Sequence, residues 1–165
     1  MNRIDGKVAV ITGGTQGLGA AIANLFAEAG AHGIVIVGRD HKKGETVASE
    51  ISKAYGIQVK MIPADLEKIE DVQRIMAETD NVFGRIDILV NSAGLTDRGN
   101  ILNTNPDLFN KMIAVNTRAP FFLIQDAAKI MIRENIEGRI INIGSMSEHA
   151  GQPFLCPYAC LLYTS

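Results

Sequence analysis

The stretch Thr12-Gly13-Gly14-Thr15-Gln16-Gly17-Leu18-Gly19 has the residue types to cradle an anion. Glycines permit a tight turn and let a bulky anion approach the backbone. Before it, Lys7-Val8-Ala9-Val10-Ile11 is an apolar run of strand type; after it, Leu18, Ile22, Leu25, Phe26 and Ala29 recur at helical spacing. Glycines on such a strand-to-helix turn face the helix's unpaired N–H groups and its positive dipole end. The guest that suits this is the pyrophosphate of a dinucleotide, and an ordinary glycine-rich turn is the plainer alternative. A phosphate loop of the ATP-binding kind would end in Gly-Lys-Ser/Thr, whereas Gly19 is followed by Ala20-Ala21.

Three further places could meet the same ligand. The tip Gly38-Arg39-Asp40 comes at the end of the second apolar strand, Gly33-Ile34-Val35-Ile36-Val37-Gly38. An acidic residue there would bind a ribose 2′-hydroxyl; Gly38 followed by Arg39 instead suits a 2′-phosphate, unless Arg39 is only a solvated charge or Asp40 turns inward. Asp65-Leu66 ends a third strand, Gln58 to Pro63, where a carboxylate can accept from an adenine amino group or simply cap a helix. Asn91-Ser92-Ala93-Gly94 follows a fourth strand, Arg85 to Val90; its small residues leave room for a cofactor, or form a plain turn.

The elements that must position these groups alternate. Helices are expected after each of the first three strands, with Val47, Ile51 and Ala54 inward on the second and Gly56 as its C-cap. Val72, Ile75, Met76 and Phe83 mark the third. The segment from Pro106 to Asn135 is helical by pattern, kinked or divided at Pro120, and holds Asn116, whose plain role is packing. A fifth strand, Arg139 to Ile143, leads through Gly144-Ser145 and a loop with Gly151 and Pro153 to a helix starting at Pro157. The alternation predicts an α/β fold with a parallel sheet.

Composition sets the class. The chain has 165 residues, 47% apolar and 21% charged, with a formal net charge of −2, which predicts one globular domain and gives no electrostatic case for nucleic acid or an anionic membrane. No apolar run is long enough to span a bilayer, and Met1 to Lys7 lacks a signal-peptide core. Two cysteines, Cys156 and Cys160, make neither a disulfide framework nor a metal site, so a cytoplasmic location is expected.

With Ser145 and Tyr158 thirteen residues apart, residues 4–159 resemble a short-chain dehydrogenase/reductase (SDR). The loop is similar to that family's Thr-Gly-x-x-x-Gly-x-Gly, Asp65-Leu66 to its adenine-contacting Asp, and Asn91-Ser92-Ala93-Gly94 to Asn-Asn-Ala-Gly, with Ser92 departing mildly. Asn116 falls at the family's helix-kink Asn. The resemblance implies a Rossmann-like doubly wound sheet in strand order 3-2-1-4-5. It implies NADP as preferred cofactor, with NAD possible, held by Gly13, Thr15, Gln16, Gly17, Leu18, Gly19, Arg39, Asp65, Leu66, Asn91, Ala93 and Gly94. It implies hydride transfer between the nicotinamide and a small-molecule carbonyl or secondary alcohol, with Asn116, Ser145 and Tyr158 catalytic and no metal. A homo-oligomer, tetramer or dimer, is expected, since the family commonly packs subunits through the long helix. The polar stretches Thr96-Asp97-Arg98-Gly99-Asn100 and Glu148-His149 favour a sugar or polyol over a long acyl chain.

One departure is large. The family carries a lysine four residues after its tyrosine, which favours ionisation of a phenol that otherwise ionises near pH 10, and holds the nicotinamide ribose. Position 162 is Leu162. The string Cys160-Leu161-Leu162-Tyr163-Thr164-Ser165 is also what TGT CTC TTA TAC ACA TCT encodes, a transposon end used in sequencing libraries. The expectation is therefore an incomplete nucleotide-binding domain over 1–159 and a non-native tail over 160–165, and an inactive chain. A divergent native tail is the other reading. A non-catalytic dinucleotide-binding module or redox sensor is the alternative function, and it leaves the joint presence of Asn116, Ser145 and Tyr158 without a reason.

Overall fold

The computed structural model describes residues 3–97, 99–149 and 154–164; of Glu148, Tyr163 and Thr164 only the backbone is described. Arg98 and the loop expected through Gly151 and Pro153 lie outside the described residues. Five strands, β1 (Val8–Thr12), β2 (Gly33–Gly38), β3 (Gln58–Pro63), β4 (Ile88–Asn91) and β5 (Arg139–Asn142), pair in parallel in the order β3-β2-β1-β4-β5. Six α-helices accompany them among the described residues: α1 (Gly17–Glu28), α2 (His41–Tyr55), α3 (Ile69–Phe83), α4 (Pro106–Ile113), α5 (Ala119–Arg133) and α6 (Cys156–Thr164). The order reverses between β1 and β4, and the carboxyl ends of the strands beside such a switch point form a crevice.

Every residue of β1 and β4 is buried, as parallel strands covered on both faces require. Val10, Val35, Ile62 and Leu89 pack with α3 and α5 through Ile75, Met76, Leu123 and Ala127. Ala9, Ile11, Ile34 and Ile36 pack on the other face with Ala23 and Ala27 of α1 and Ala48 and Ile51 of α2. The inner face of α1 therefore differs from the expected one. Leu18 and Leu25 are half exposed and the sheet side is Gly19, Ala23 and Ala27. Small residues let this helix approach the sheet closely; of the expected apolar positions, Ile22 and Phe26 still pack against this core and Ala29 is buried, whereas Leu18 and Leu25 are not inward. On α2, Ala54 is exposed and Ala48 takes the inner place; Gly56 closes the helix in the left-handed conformation at φ 68°. The fourth strand starts at Ile88 rather than Arg85, because Asp87 is drawn into an ion-pair cluster.

Asp87 is 2% exposed. Its carboxylate accepts from Arg85 at 2.7 and 2.9 Å, from Lys7 Nζ at 3.1 Å and from the Val8 amide at 3.0 Å. Burial alone pushes its acidity toward the neutral form, but Arg85, the Val8 amide and Lys7 outweigh it, and the group titrates below the usual carboxylate range. The sign follows: the stabilisation is whole above the unfolded value of about 4 and fades as pH falls through the lower folded value. Asp87→Asn is expected to destabilise the chain by about 1–3 kcal/mol at pH 7. The gap between the two denaturation midpoints should shrink toward pH 3, and a constant gap would remove the charged form of Asp87 from the account.

Candidate functional site

Gly13 takes φ 68°, and a Cβ there would lie 3.0 Å from the Ala93 Cα, so the loop after β1 and the loop after β4 touch through a hydrogen atom. A Cβ on Gly19 would be driven into the Gly13 carbonyl. The loop is thus a cradle that side chains at these two positions would fill. Thr12, buried, ties it to its neighbour: its Oγ1 accepts from the Ser92 and Ala93 amides, each at 3.1 Å.

Around this cradle a cavity of about 460 Å³ opens, lined by Gly13, Thr15, Gln16, Gly17, Leu18, Gly19, Arg39, Asp65, Leu66, Ala93 and Gly94. All but one of the expected cofactor residues therefore meet at one mouth. The exception, Asn91, is buried; its Nδ2 donates to Asn142 Oδ1 at 2.8 Å across β4 and β5. Lys43, Lys111 and Val115 also line the cavity and were not expected there, as does Asp40 of the β2 tip. Lys43 stands 27 positions from its contact, Gln16 Oε1, so no local pattern points to it.

At the tip of β2, Gly38 offers no carboxylate, and a Cβ there would sit 2.6 Å from Thr15 Cγ2, so any side chain at that position would require Thr15 to move. Asp40 does not turn inward to replace it: its side chain accepts from the Lys43 amide at 3.0 Å as the N-cap of α2. Arg39 is exposed at the cavity wall. Asp65 is not the N-cap of α3, which is Lys68. Its Oδ1 instead accepts from the Glu67 amide at 3.1 Å, while its own amide donates to Asp71. Glu67 is held by Lys111 Nζ at 2.8 Å and, through its carbonyl, by Arg118 at 2.7 Å.

The long helical segment is divided. A π-helical turn, Ala114–Arg118, separates α4 from α5. Pro120 has no N–H for the carbonyl of Asn116, four residues back, so the ladder re-forms with the Ala119 amide on the Ala114 carbonyl. Asn116 lies in this turn. Its Oδ1 accepts from the Leu95 amide at 2.8 Å and its Nδ2 donates to the Leu95 carbonyl at 2.7 Å, pinning the loop that follows Gly94. Ser145 caps a short 3₁₀ turn, Met146–Glu148, its Oγ accepting from the Ser147 amide at 3.3 Å. Helix α6, which carries half-buried Tyr158, packs on that turn and against α4. Asn116, Ser145 and Tyr158 are not among the residues that line the 460 Å³ cavity.

The family model described as short chain dehydrogenase matches residues 7–160. Versicolorin reductase 1 of Aspergillus parasiticus is 39% identical over 140 residues, 85% of this chain and 52% of its own length. L-Rhamnose 1-dehydrogenase (NADP(+)) of Thermoplasma acidophilum is 35% identical over 153 residues, 93% of this chain and 60% of its own. The crystal structure of L-sorbose reductase from Gluconobacter frateurii, complexed with NADPH and L-sorbose, superimposes with a TM-score of 0.93 at 30% identity, covering 98% of this chain and 61% of that one. The chain thus spans between half and two thirds of the length of these relatives. With the parallel sheet, the glycine cradle at its switch point and a family match over nearly all of its residues, this chain belongs to the short-chain dehydrogenases.

Proposed function

We propose that the chain is the nucleotide-binding part of an NADP(H)-dependent oxidoreductase that interconverts a carbonyl and a secondary alcohol. The observation that carries this reading is the glycine cradle opening into a cavity whose β2 wall presents Arg39 and, at Gly38, no carboxylate. Gly13, Thr15, Gln16, Gly17, Leu18 and Gly19 would hold the pyrophosphate, Arg39 the 2′-phosphate, Asp65 and Leu66 the adenine, and Ala93 and Gly94 the nicotinamide side. Asn91 supports that side by fixing the ends of β4 and β5. When bound, the cofactor would supply a hydride to a carbonyl carbon or accept one from the carbinol carbon of the alcohol. In this reading Tyr158 gives or takes the proton on the substrate oxygen, the Ser145 hydroxyl holds that oxygen, and Asn116 fixes the Leu95 loop.

A sugar or polyol is the substrate class proposed, in keeping with the polar loop after β4 and with the sugar-active relatives. Phe109, Ile113 and Phe121 are exposed along α4 and α5 and support a homo-oligomer through that surface. Among the described residues no helix is long and apolar enough to cross a membrane, and no cluster of metal ligands occurs. Leu162 favours a second reading, a module that binds the dinucleotide without turning it over.

Titration with NADPH and NADH tests the first step. The wild type is expected to bind NADPH about tenfold or more tightly, the worth of one charge-assisted contact, and Arg39→Asp to reverse the order. Tighter binding of NADH by the wild type would overturn the assignment of the β2 tip.

A further inference from the structure

Gln16 is the N-cap of α1, yet its side chain makes no capping hydrogen bond. It reaches across the cavity mouth instead, where its Oε1 accepts from Lys43 Nζ at 2.5 Å. Lys43 lies in the first turn of α2, which contains His41, Lys42 and Lys43 and no acidic residue. A cation there opposes the positive end of the helix dipole, and of the two carboxylates near it in sequence, Asp40 is committed through Oδ1 to the Lys43 amide, while Glu45 pairs with His41. The ammonium is therefore held over the cavity by a neutral oxygen, on the same wall as Arg39, with no anion paired to it among the described residues. This arrangement is unfavourable on its own and becomes favourable when an anion enters between the two cations.

We propose that Lys43 is a second specificity-determining cation for the adenosine 2′-phosphate, and that Gln16 is its positioning residue. The inference rests on the NADP(H) reading above. Gln16 gives the long, flexible lysine one place to stand before the ligand arrives, which lowers the ordering cost of the contact. The glycine cradle fixes Gln16, so recognition of the pyrophosphate and of the 2′-phosphate becomes mechanically linked: both draw on the same loop.

The test uses the 165-residue chain and two fragments of the cofactor, 2′,5′-ADP and 5′-ADP, in calorimetric titrations. Lys43→Ala is expected to lower the affinity for 2′,5′-ADP about tenfold or more and to change that for 5′-ADP less than about twofold. Lys43→Arg should keep most of the difference. Gln16→Ala keeps the backbone through which the loop would meet the pyrophosphate, so it should weaken 2′,5′-ADP binding in the wild type but add little on top of Lys43→Ala, because the two side chains act as one unit. The fold should survive these changes, since Asp40 caps the Lys43 backbone and not its side chain; unchanged thermal midpoints check it. If the wild type prefers 2′,5′-ADP while Lys43→Ala affects both fragments equally or neither, the proposal falls and the NADP(H) reading stands. If Gln16→Ala and Lys43→Ala are additive, the positioning role falls. If the wild type binds 5′-ADP as tightly as 2′,5′-ADP, the NADP(H) reading falls and takes this inference with it.

Discussion

No turnover of ketones, sugars or polyols is expected from the 165-residue chain, and Leu162→Lys is expected to raise the rate at least about a hundredfold. Position 162 is one helical turn beyond Tyr158 on α6, so both side chains lie on one face. A phenol acts as a proton donor and acceptor near neutral pH only with help, and a cation one turn away is the kind of help that favours its ionised form. Leu162 is half-buried and gives none. In the Leu162→Lys background, Tyr158→Phe should remove about two to four orders of magnitude and Ser145→Ala a comparable share. Initial rates with NADPH over a substrate panel read this directly. Turnover by the unaltered chain that Tyr158→Phe abolishes would show the lysine to be dispensable. No gain from Leu162→Lys would favour the binding-module reading. The genomic locus decides the status of residues 160–165: a lysine codon at position 162 would mark them as non-native, although α6 runs across Ala159 without a break.

How far the sequence could be read depended on whether an interaction is local. Apolar runs at Val8 to Ile11, Gly33 to Gly38 and Gln58 to Pro63 became strands, because β-branched residues between turn signals have few other uses. The glycine loop was legible because Gly13 and Gly17 take positive φ, 68° and 51°, and a Cβ on Gly19 would meet the Gly13 carbonyl, although the contacts of Gly13 with Ala93 and of Gly14 with Ile36 are not local. Helix faces were less so: α1 turns Gly19, Ala23 and Ala27 to the sheet, since close approach selects small residues over the larger ones that carry the periodic signal. Pro120 marks the division of the long helical segment, but the break itself falls a turn earlier, where Asn116 latches Leu95. The contacts that complete the cavity wall, Lys43 with Gln16 and Lys111 with Glu67, join distant residues with no shared period, and so does the Asp87 cluster. Such pairs are decided by the topology and can be seen only after it is built.

Concentration-dependent self-association and a broad thermal transition are expected of the isolated 165-residue chain, and the outer edge of β5 is the reason. The Arg139 amide donates to the Asp87 carbonyl and the Ile143 amide to the Asn91 carbonyl, so by alternation the Ile140 and Asn142 amides face away from β4. Beyond them no further strand pairs among the described residues. All four residues of β5 are exposed, whereas all four of β4 are buried. Ile140, Ile141 and the following Ile143 are 39%, 42% and 42% exposed, which places apolar surface on both faces of an edge that also offers unpaired backbone groups. Full burial of a large aliphatic side chain is worth about 1.5–3 kcal/mol, so partial exposure of three of them is a large fraction of a net stability of about 5–15 kcal/mol. A second β5 edge, in a neighbouring copy, satisfies both needs at once. Ile140→Lys with Ile143→Lys should therefore shift sedimentation toward the monomer by setting charges on each face of the edge. Association that persists in this double variant would move the contact to the exposed Phe109, Ile113 and Phe121 of α4 and α5. A clean wild-type monomer with a sharp, cooperative melt would show that five strands are enough and that the open edge costs little.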